Sequence, residues 1–438
     1  MTSKVAVVGL WHLGCSITAA WSRLGLDVQA IEFDTQVARE LESGRPPLFE
    51  PGLAEALAAG LARGTLTVSS DPTAVRGRPF VFLAYDTPVR DDDSSDLSPI
   101  WKAVEACGPH MAHGAILIIS AQLPVGTARL IRERLKRFDE SLEVIYSPEN
   151  LRLGEAISCY LKPGHIVIGA DASEAGNAVE ALFAPMQARC FRMNLPSAEL
   201  VKHCINSFLA TSVTLANQWA DIAGATGADF ADIAAALRAD PRIGERAYIA
   251  PGIGFSGGTL GRDLRVLDDV NRVALRGEAP LFGEIWEYNH GRVGVVARRA
   301  SQILGGLGNA RIGLLGMTYK PGTSTLRQSL PLAVVRNLLS EGAAVAAHDP
   351  KADWSEVVVP AGLEIAETPY QAAAGADLLI LLTEWPEYRD LDFRRLAGAM
   401  RRPLLLDIKN FLRPKRHDLE ASGLTLLPLV PTAQSSRS

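Results

Sequence analysis

Val5-Ala6-Val7-Val8-Gly9-Leu10-Trp11-His12-Leu13-Gly14, joined by a helical stretch to Val28-Gln29-Ala30-Ile31-Glu32, decides the fold. An apolar run without polar alternation reads as a parallel strand buried on both faces. The glycines at 9 and 14 bracket a turn, and residues 14 to 24 carry helical spacing, so the stretch is a strand, turn, helix, strand unit. Glu32 stands 18 positions after Gly14. In that geometry a carboxylate takes the ribose hydroxyls of a dinucleotide whose pyrophosphate rests on the helix N-terminus. Gly9, Trp11, Leu13, Gly14 and Glu32 are therefore the predicted cofactor-binding residues. Glu32 predicts NAD rather than NADP, because a carboxylate there repels a 2′-phosphate. The fingerprint has one departure: Trp11 takes the place of the second glycine, whose missing side chain lets a pyrophosphate come close. Trp11 must point aside or the cofactor must shift.

Further along, strands are expected near residues 79–85, 115–120, 143–146 and 165–169, alternating with helices, which continues a doubly wound sheet to about residue 190. From Ser197 the period changes. Leu200, Val201, Cys204, Ile205, Phe208, Leu209, Val213, Leu215, Ala216 and Ala220 recur at helical spacing, which predicts one helix of roughly 27 residues and about 40 Å. A second helix near 229–239 and others after 263 make an all-α middle section. A second α/β unit opens with Arg311-Ile312-Gly313-Leu314-Leu315-Gly316, then a helix from about Ser329 to Glu341 and strands near 343–348, 377–382 and 403–407. The expected fold class is α/β, with two Rossmann-like doubly wound domains joined by a long central helix in an all-α middle section. Residues 428–438 read as a disordered tail.

The chain has 438 residues, 47% apolar and 21% charged, with a formal net charge of −5, enough to bury a sizeable core. No basic stripe points to nucleic acid or an anionic membrane surface. No apolar run approaches the about 18 residues of a membrane span, and the N-terminus leads straight into a strand, so the expected location is the cytoplasm. Cysteines at 15, 107, 159, 190 and 204 are odd in number and lack a C-x-x-C, which fits a reducing compartment and no zinc site. Asp91-Asp92-Asp93 read as solvated or capping residues, and no metal is predicted.

Two further stretches carry candidate chemistry. Pro251 to Asp263 has five glycines in thirteen residues, a loop whose backbone can approach a ligand closely, with Asp263 expected to cap the following helix. Lys202 and Asn206 lie four apart on the long helix and share a face; taken alone they read as solvent-exposed. A helix apolar around much of its circumference needs more than one packing surface, which predicts a homodimer through the middle section.

Taken in order, Gly9–Gly14, Glu50-Pro51-Gly52-Leu53, Thr87-Pro88, Pro124-Val125-Gly126-Thr127, Ser147-Pro148-Glu149, Lys202 to Asn206, Arg242-Ile243-Gly244, Gly254–Asp263, Lys320-Pro321-Gly322-Thr323, Thr383-Glu384-Trp385 and Asp407 to Asn410 carry a resemblance. The chain resembles the nucleotide-sugar 6-dehydrogenase family, which includes UDP-glucose, UDP-N-acetyl-hexosamine and GDP-mannose dehydrogenases, over essentially its whole length. The resemblance implies an NAD domain (1–195), a central helical dimerisation domain (196–305) and a C-terminal nucleotide-sugar-binding domain (306–427). It adds Thr87 and Gln122 to the cofactor-binding residues. It implies catalytic positions at Lys202, Asn206, Asp263, Glu149 and Thr259, and substrate contacts at Glu149, Leu151, Lys202, Asn206, Arg242, Phe255, Gly258, Lys320 and Lys409.

Departures from the family fall at its chemical centre. The family's loop carries a cysteine followed three residues later by lysine, where this chain has Thr259 and Arg262. Gln122 replaces a threonine, Leu153 a glutamate, and Ile408-Lys409 a Gly-Arg pair. In the family, one hydride leaves C6 of the sugar, the cysteine thiolate adds to the aldehyde, a second hydride leaves and water hydrolyses the thioester. Only the first oxidation needs no nucleophile, and a threonine hydroxyl is far less acidic than a thiol. Three readings stay open at this point: a dehydrogenase of a nucleotide sugar, with UDP-sugars favoured, that stops at two electrons or oxidises the aldehyde hydrate; an isomerase that retains NAD and returns the hydride; and a non-catalytic nucleotide-sugar binder.

Overall fold

Strand β1, Lys4–Val8, sends Val5 and Val7 into one hydrophobic core and Ala6 and Val8 into another, as a strand buried on both faces must. A computed structural model describes residues 3–87, 95–149, 151–152, 154–256 and 258–430. The chain divides into two compact units, Met1–Ile205 and Asn206–Ser438. Around β1 the first unit adds β2 (Asp27–Ile31), β3 (Leu66–Ser69), β4 (Phe80–Leu83), β5 (Ile116–Ile119), β6 (Glu143–Tyr146), β7 (Ile166–Ala170) and β8 (Cys190–Met193), in the order β3-β2-β1-β4-β5-β6-β7-β8. All neighbours pair in parallel except β6 and β7. β1 is flanked by β2 and β4, so the strand order reverses there and a crevice opens beyond its carboxyl end. Trp21 anchors one core: it is fully buried against Phe82 and Phe183, and its indole N–H donates to the Tyr160 hydroxyl at 3.2 Å.

The long helix runs Leu195–Thr226, 32 residues, or about 48 Å. It exceeds the expectation because it starts before Ser197 and continues to Gly227, whose φ of 78° is the left-handed conformation that ends helices. Helices Phe230–Ala239, Leu260–Ala274, Leu281–Arg292 and Gly294–Leu304 follow with no strand among the described residues before 311. One sequence expectation is corrected here. Asp263 does not cap its helix: the helix starts at Leu260 with Thr259 in the capping place, so Asp263 lies inside the first turn and its carboxylate is fully buried.

The second sheet contains β9 (Arg311–Leu315), β10 (Ala344–His348), β11 (Leu363–Ile365), β12 (Leu378–Leu381), β13 (Leu404–Asp407) and β14 (Thr425–Pro428), all parallel in the order β11-β10-β9-β12-β13-β14. Pro428 to Val430 were expected in a tail. Pro428 instead ends the edge strand, and Leu429, 5% exposed, and Val430 pack against the core beyond it. The rest of the expected tail, 431–438, lies outside the described residues, as do Asp91-Asp92-Asp93 and Leu153. Among the described residues no helix is long and apolar enough to cross a membrane, and no group of His, Cys, Asp and Glu is arranged to hold a metal ion.

Candidate active site

At the crevice beyond β1, glycine is required twice. A Cβ on Gly14 would sit 1.7 Å from the Gly9 carbonyl oxygen, and one on Gly9, whose φ is 90°, would meet the Tyr85 ring at 2.8 Å. The helix His12–Arg23 therefore starts in direct contact with the end of β1. Glu32 reaches back from the end of β2 to accept the Leu10 N–H at 2.8 Å and the Asp34 N–H at 3.2 Å, which fixes its carboxylate at the rim where ribose hydroxyls bind. Trp11 is 42% exposed, the first of its two alternatives. Leu13 donates its N–H to Asp86 Oδ2 at 3.0 Å, and Thr87, buried, donates from Oγ1 to the Gln122 carbonyl at 2.9 Å. Burial, with the Asp86 and Glu32 charges adding to it, drives the Cys15 thiol well above its ordinary value. The glycines and Glu32 thus fit a dinucleotide, with Trp11 and Asp86 as departures from the usual cradle.

The long helix presents Glu199, Lys202, His203 and Asn206 at spacings of three, four and seven, which is one face. Each fixes a different segment. Glu199, fully buried, accepts the N–H groups of Gly126 at 2.6 Å and Ala128 at 2.8 Å; burial raises its pKa and these two bonds oppose the shift. His203 Nε2 lies 2.9 Å from the Leu123 carbonyl, and Lys202 Nζ donates to the Glu149 carbonyl at 2.8 Å. Asn206 Nδ2 donates to the Asp263 carboxylate. The solvent-exposed reading of Asn206 fails, since it is 5% exposed. Glu149 contributes its carbonyl, while its carboxylate turns back onto the Leu151 N–H. Glu50, 4% exposed, accepts from Gly154 and Ala156 N–H at 2.9 Å each and sits 3.0 Å from His12 Nε2, tying the cofactor turn to the segment after Glu149.

The glycine loop is held in the second unit. Asn289 clamps both backbone groups of buried Phe255, accepting its N–H at 2.8 Å and donating to its carbonyl at 2.9 Å. Gly254, at φ 106°, has no room for a Cβ, which would meet Asn289 Oδ1 at 2.3 Å. Gly258 is half-buried beside it, and the Thr259 side chain is exposed and makes no capping bond. Arg262 Nε lies 3.6 Å from Asp263 Oδ1, and Arg242 is exposed and paired with Asp240 two residues away.

Lys409 donates to Glu384 at 2.7 Å, and its stem passes over Gly252, where a Cβ would stand 3.3 Å away. Lys320 lies 5.7 Å from the Tyr319 ring centre. Beyond β9, Asp349 accepts from Met317 N–H at 2.7 Å and from Thr318 N–H and Oγ1 at 2.9 and 3.0 Å. The Trp385 indole N–H donates to Thr318 Oγ1 and Asp349 Oδ2, both at 3.1 Å. Asp86, Glu199 and Asp349 were not singled out from the sequence. Each is a carboxylate that closes a bond with a distant segment, and the available signal was its place: directly after a strand for Asp86 and Asp349, and three before Lys202 for Glu199.

A mostly parallel sheet with a glycine turn, a carboxylate at the switch point and a lysine and asparagine one helical turn apart is the arrangement of nicotinamide-dependent oxidoreductases. Residues 3–187 match the NAD binding domain, 196–290 the central domain and 313–414 the UDP binding domain of the UDP-glucose/GDP-mannose dehydrogenase family. The chain belongs to this family of NAD-dependent nucleotide-sugar dehydrogenases, and its cofactor is NAD. It is 33% identical over 424 residues to a UDP-glucose 6-dehydrogenase of Rhizobium meliloti, covering 94% of this chain and 96% of that one. It is 31% identical over 433 residues to one of Pseudomonas aeruginosa, covering 94% of each. The solved UDP-glucose dehydrogenase of Pyrobaculum islandicum superposes with a TM-score of 0.86 at 28% identity, covering 93% of this chain and 94% of that one. The isomerase and non-catalytic readings are not favoured.

Proposed function

We propose that the chain oxidises the C6 hydroxymethyl group of a UDP-linked hexose and releases the two-electron product, a UDP-linked 6-aldehyde. The matched UDP binding domain and relatives that are UDP-glucose 6-dehydrogenases support the substrate class. Thr259, exposed and with no capping bond from its side chain, carries the stopping point. A hydroxyl with no adjacent base is not a nucleophile near neutral pH. NAD supplies the hydride acceptor. The alcohol loses one hydride and one proton, giving aldehyde, NADH and H⁺. Lys202 accepts that proton, Asn206 donates to the developing alkoxide, and Asp263 holds the Asn206 amide in its rotamer. Phe255, Gly258, Lys320 and Lys409 serve the nucleotide end, and Leu151 and Glu149 position the sugar through the backbone. The expected stoichiometry is one NADH per UDP-glucose consumed, with the aldehyde trapped as its hydrazone. In intact-protein mass spectra of the quenched reaction, Thr259→Cys should form an adduct with supplied 6-aldehyde that the wild type lacks. Two NADH and a uronic acid from the wild type would overturn the reading.

The same reading includes a homodimer built on the helical middle section, between an NAD domain over 1–195 and a nucleotide-sugar domain from 306, with the location in the cytoplasm, where five free cysteines stay reduced. Phe208, Leu215 and Ile222 follow one another at intervals of seven on the long helix and are 71, 40 and 61% exposed. A stripe of that spacing is one face of a helix awaiting a partner. Light scattering at micromolar concentration should give twice the chain mass, and Phe208→Asp should shift it toward one chain mass. A wild-type monomer would exclude the dimer.

A further inference from the structure

The helix His12–Arg23 has no acidic residue in its first turn, and its N-cap, Trp11, makes no side-chain bond. Its positive end is met instead by a carboxylate from 73 residues away: Asp86, just beyond β4, accepts the Leu13 N–H. This is the place and the chemistry of a dinucleotide pyrophosphate, an anion set on first-turn N–H groups. Asp86 is held there from both sides. Tyr85 before it lies against Gly9, too close for a Cβ, and Thr87 after it is buried and bonded to the Gln122 carbonyl. A second carboxylate, Glu32, already closes the other side of the same turn through Leu10.

We propose that Asp86 is an affinity-setting residue that stands in for the cofactor pyrophosphate. NAD binds by displacing the Asp86 carboxylate from the Leu13 N–H, and the displaced charge remains near the pyrophosphate and weakens its hold. The consequence is a cofactor that leaves readily, suited to exchange at every turnover rather than to retention. Asp86 also separates ligands by their phosphates: it opposes NAD and ADP-ribose and is indifferent to adenosine, which ends at the ribose beside Glu32. The inference rests on NAD occupying the crevice beyond β1. Absence of any NAD binding would defeat that premise, whereas binding with the wrong dependence on residue 86 defeats the inference alone.

The test is Asp86→Asn, which keeps the side chain's shape and removes its charge. Calorimetric titration should show NAD and ADP-ribose binding about tenfold or more tightly, as expected for relieving one like charge a few ångströms from the pyrophosphate in a partly screened crevice, while adenosine affinity stays within twofold. Thermal melts give a readout of opposite sign. The ligand-free variant should melt lower, having lost a charged helix cap, while its midpoint shift on adding 1 mM NAD should exceed that of the wild type. Unchanged or weaker NAD binding by the variant would overturn the proposal. Should the variant fail to fold, the wild type still decides: its affinity for ADP-ribose should tighten between 20 and 300 mM NaCl as the repulsion is screened, and steady weakening with salt would overturn the proposal.

Discussion

Lys202→Ala should lower kcat for UDP-glucose oxidation by about a thousandfold, within the range that one general acid–base group contributes, while NAD affinity changes little because the glycine turn and Glu32 are untouched. Lys202 emerges from the same face of the long helix as Asn206, and its Nζ is steered by the Glu149 carbonyl at 2.8 Å. That acceptor restrains the amine in a half-buried setting. Lys202→Arg separates the two tasks a lysine can perform. Arginine keeps the positive charge and cannot serve as a base, so a proton acceptor at 202 predicts an arginine variant nearly as slow as the alanine one. Recovery of a tenth or more of wild-type kcat in Lys202→Arg would show that charge suffices and would move the proton-accepting role elsewhere. The readout is NADH absorbance under saturating substrate, followed across pH.

Gly14→Ala should abolish measurable NAD binding and lower stability by about 3 kcal/mol, the upper end of overpacking effects. The added methyl would lie 1.7 Å from the Gly9 oxygen, against an ordinary carbon–oxygen contact of about 3.3 Å. Neither side can yield cheaply. Gly9 is pinned by the Tyr85 ring, and the helix carries Cys15, Ile17 and Trp21, all buried, into the core beneath the sheet. The helix must lift from β1, taking its first-turn N–H groups out of line with the crevice. Gly398→Ala is the control: within helix Phe393–Ala399, with nothing inside 4 Å of the added carbon, it should stabilise by about 0.5 to 1 kcal/mol. Chemical denaturation and NAD titration of both variants check this, and a Gly14→Ala protein that binds NAD within threefold of the wild type would contradict the clash.

The two sheets were legible wherever a strand is buried on both faces, as β1, β5 and β12 are, because an unbroken apolar run has few other homes. The edges were not. β3 and β8, Leu66–Ser69 and Cys190–Met193, are short and half-polar, and an edge strand is recognised by its neighbour rather than by its own residues. The antiparallel step between β6 and β7 left no periodic trace. The glycine loop was visible, but its following helix was misplaced by four residues. Asp263 resembles a cap in sequence and is claimed by Asn206, 57 positions earlier, a contact local pattern does not encode. Lys202 and Asn206 were legible as a pair only through their spacing and the resemblance, whereas Asp86 could be understood only once β4 lay beside β1.

Asp349 stands after β10 as Glu32 stands after β2, and the two sheets share that plan. The difference lies in how much of each carboxylate is spoken for. Asp349 Oδ2 is surrounded by the Met317 and Thr318 N–H groups, the Thr318 hydroxyl and the Trp385 indole, while Oδ1 takes the Lys351 and Ala352 N–H groups at 2.9 Å each. No lone pair is left for ribose hydroxyls, and the turn donors that would meet a pyrophosphate are spent. The second sheet keeps the architecture of a dinucleotide fold with that carboxylate already bonded to its own turn, so a titration is expected to give one NAD bound per chain.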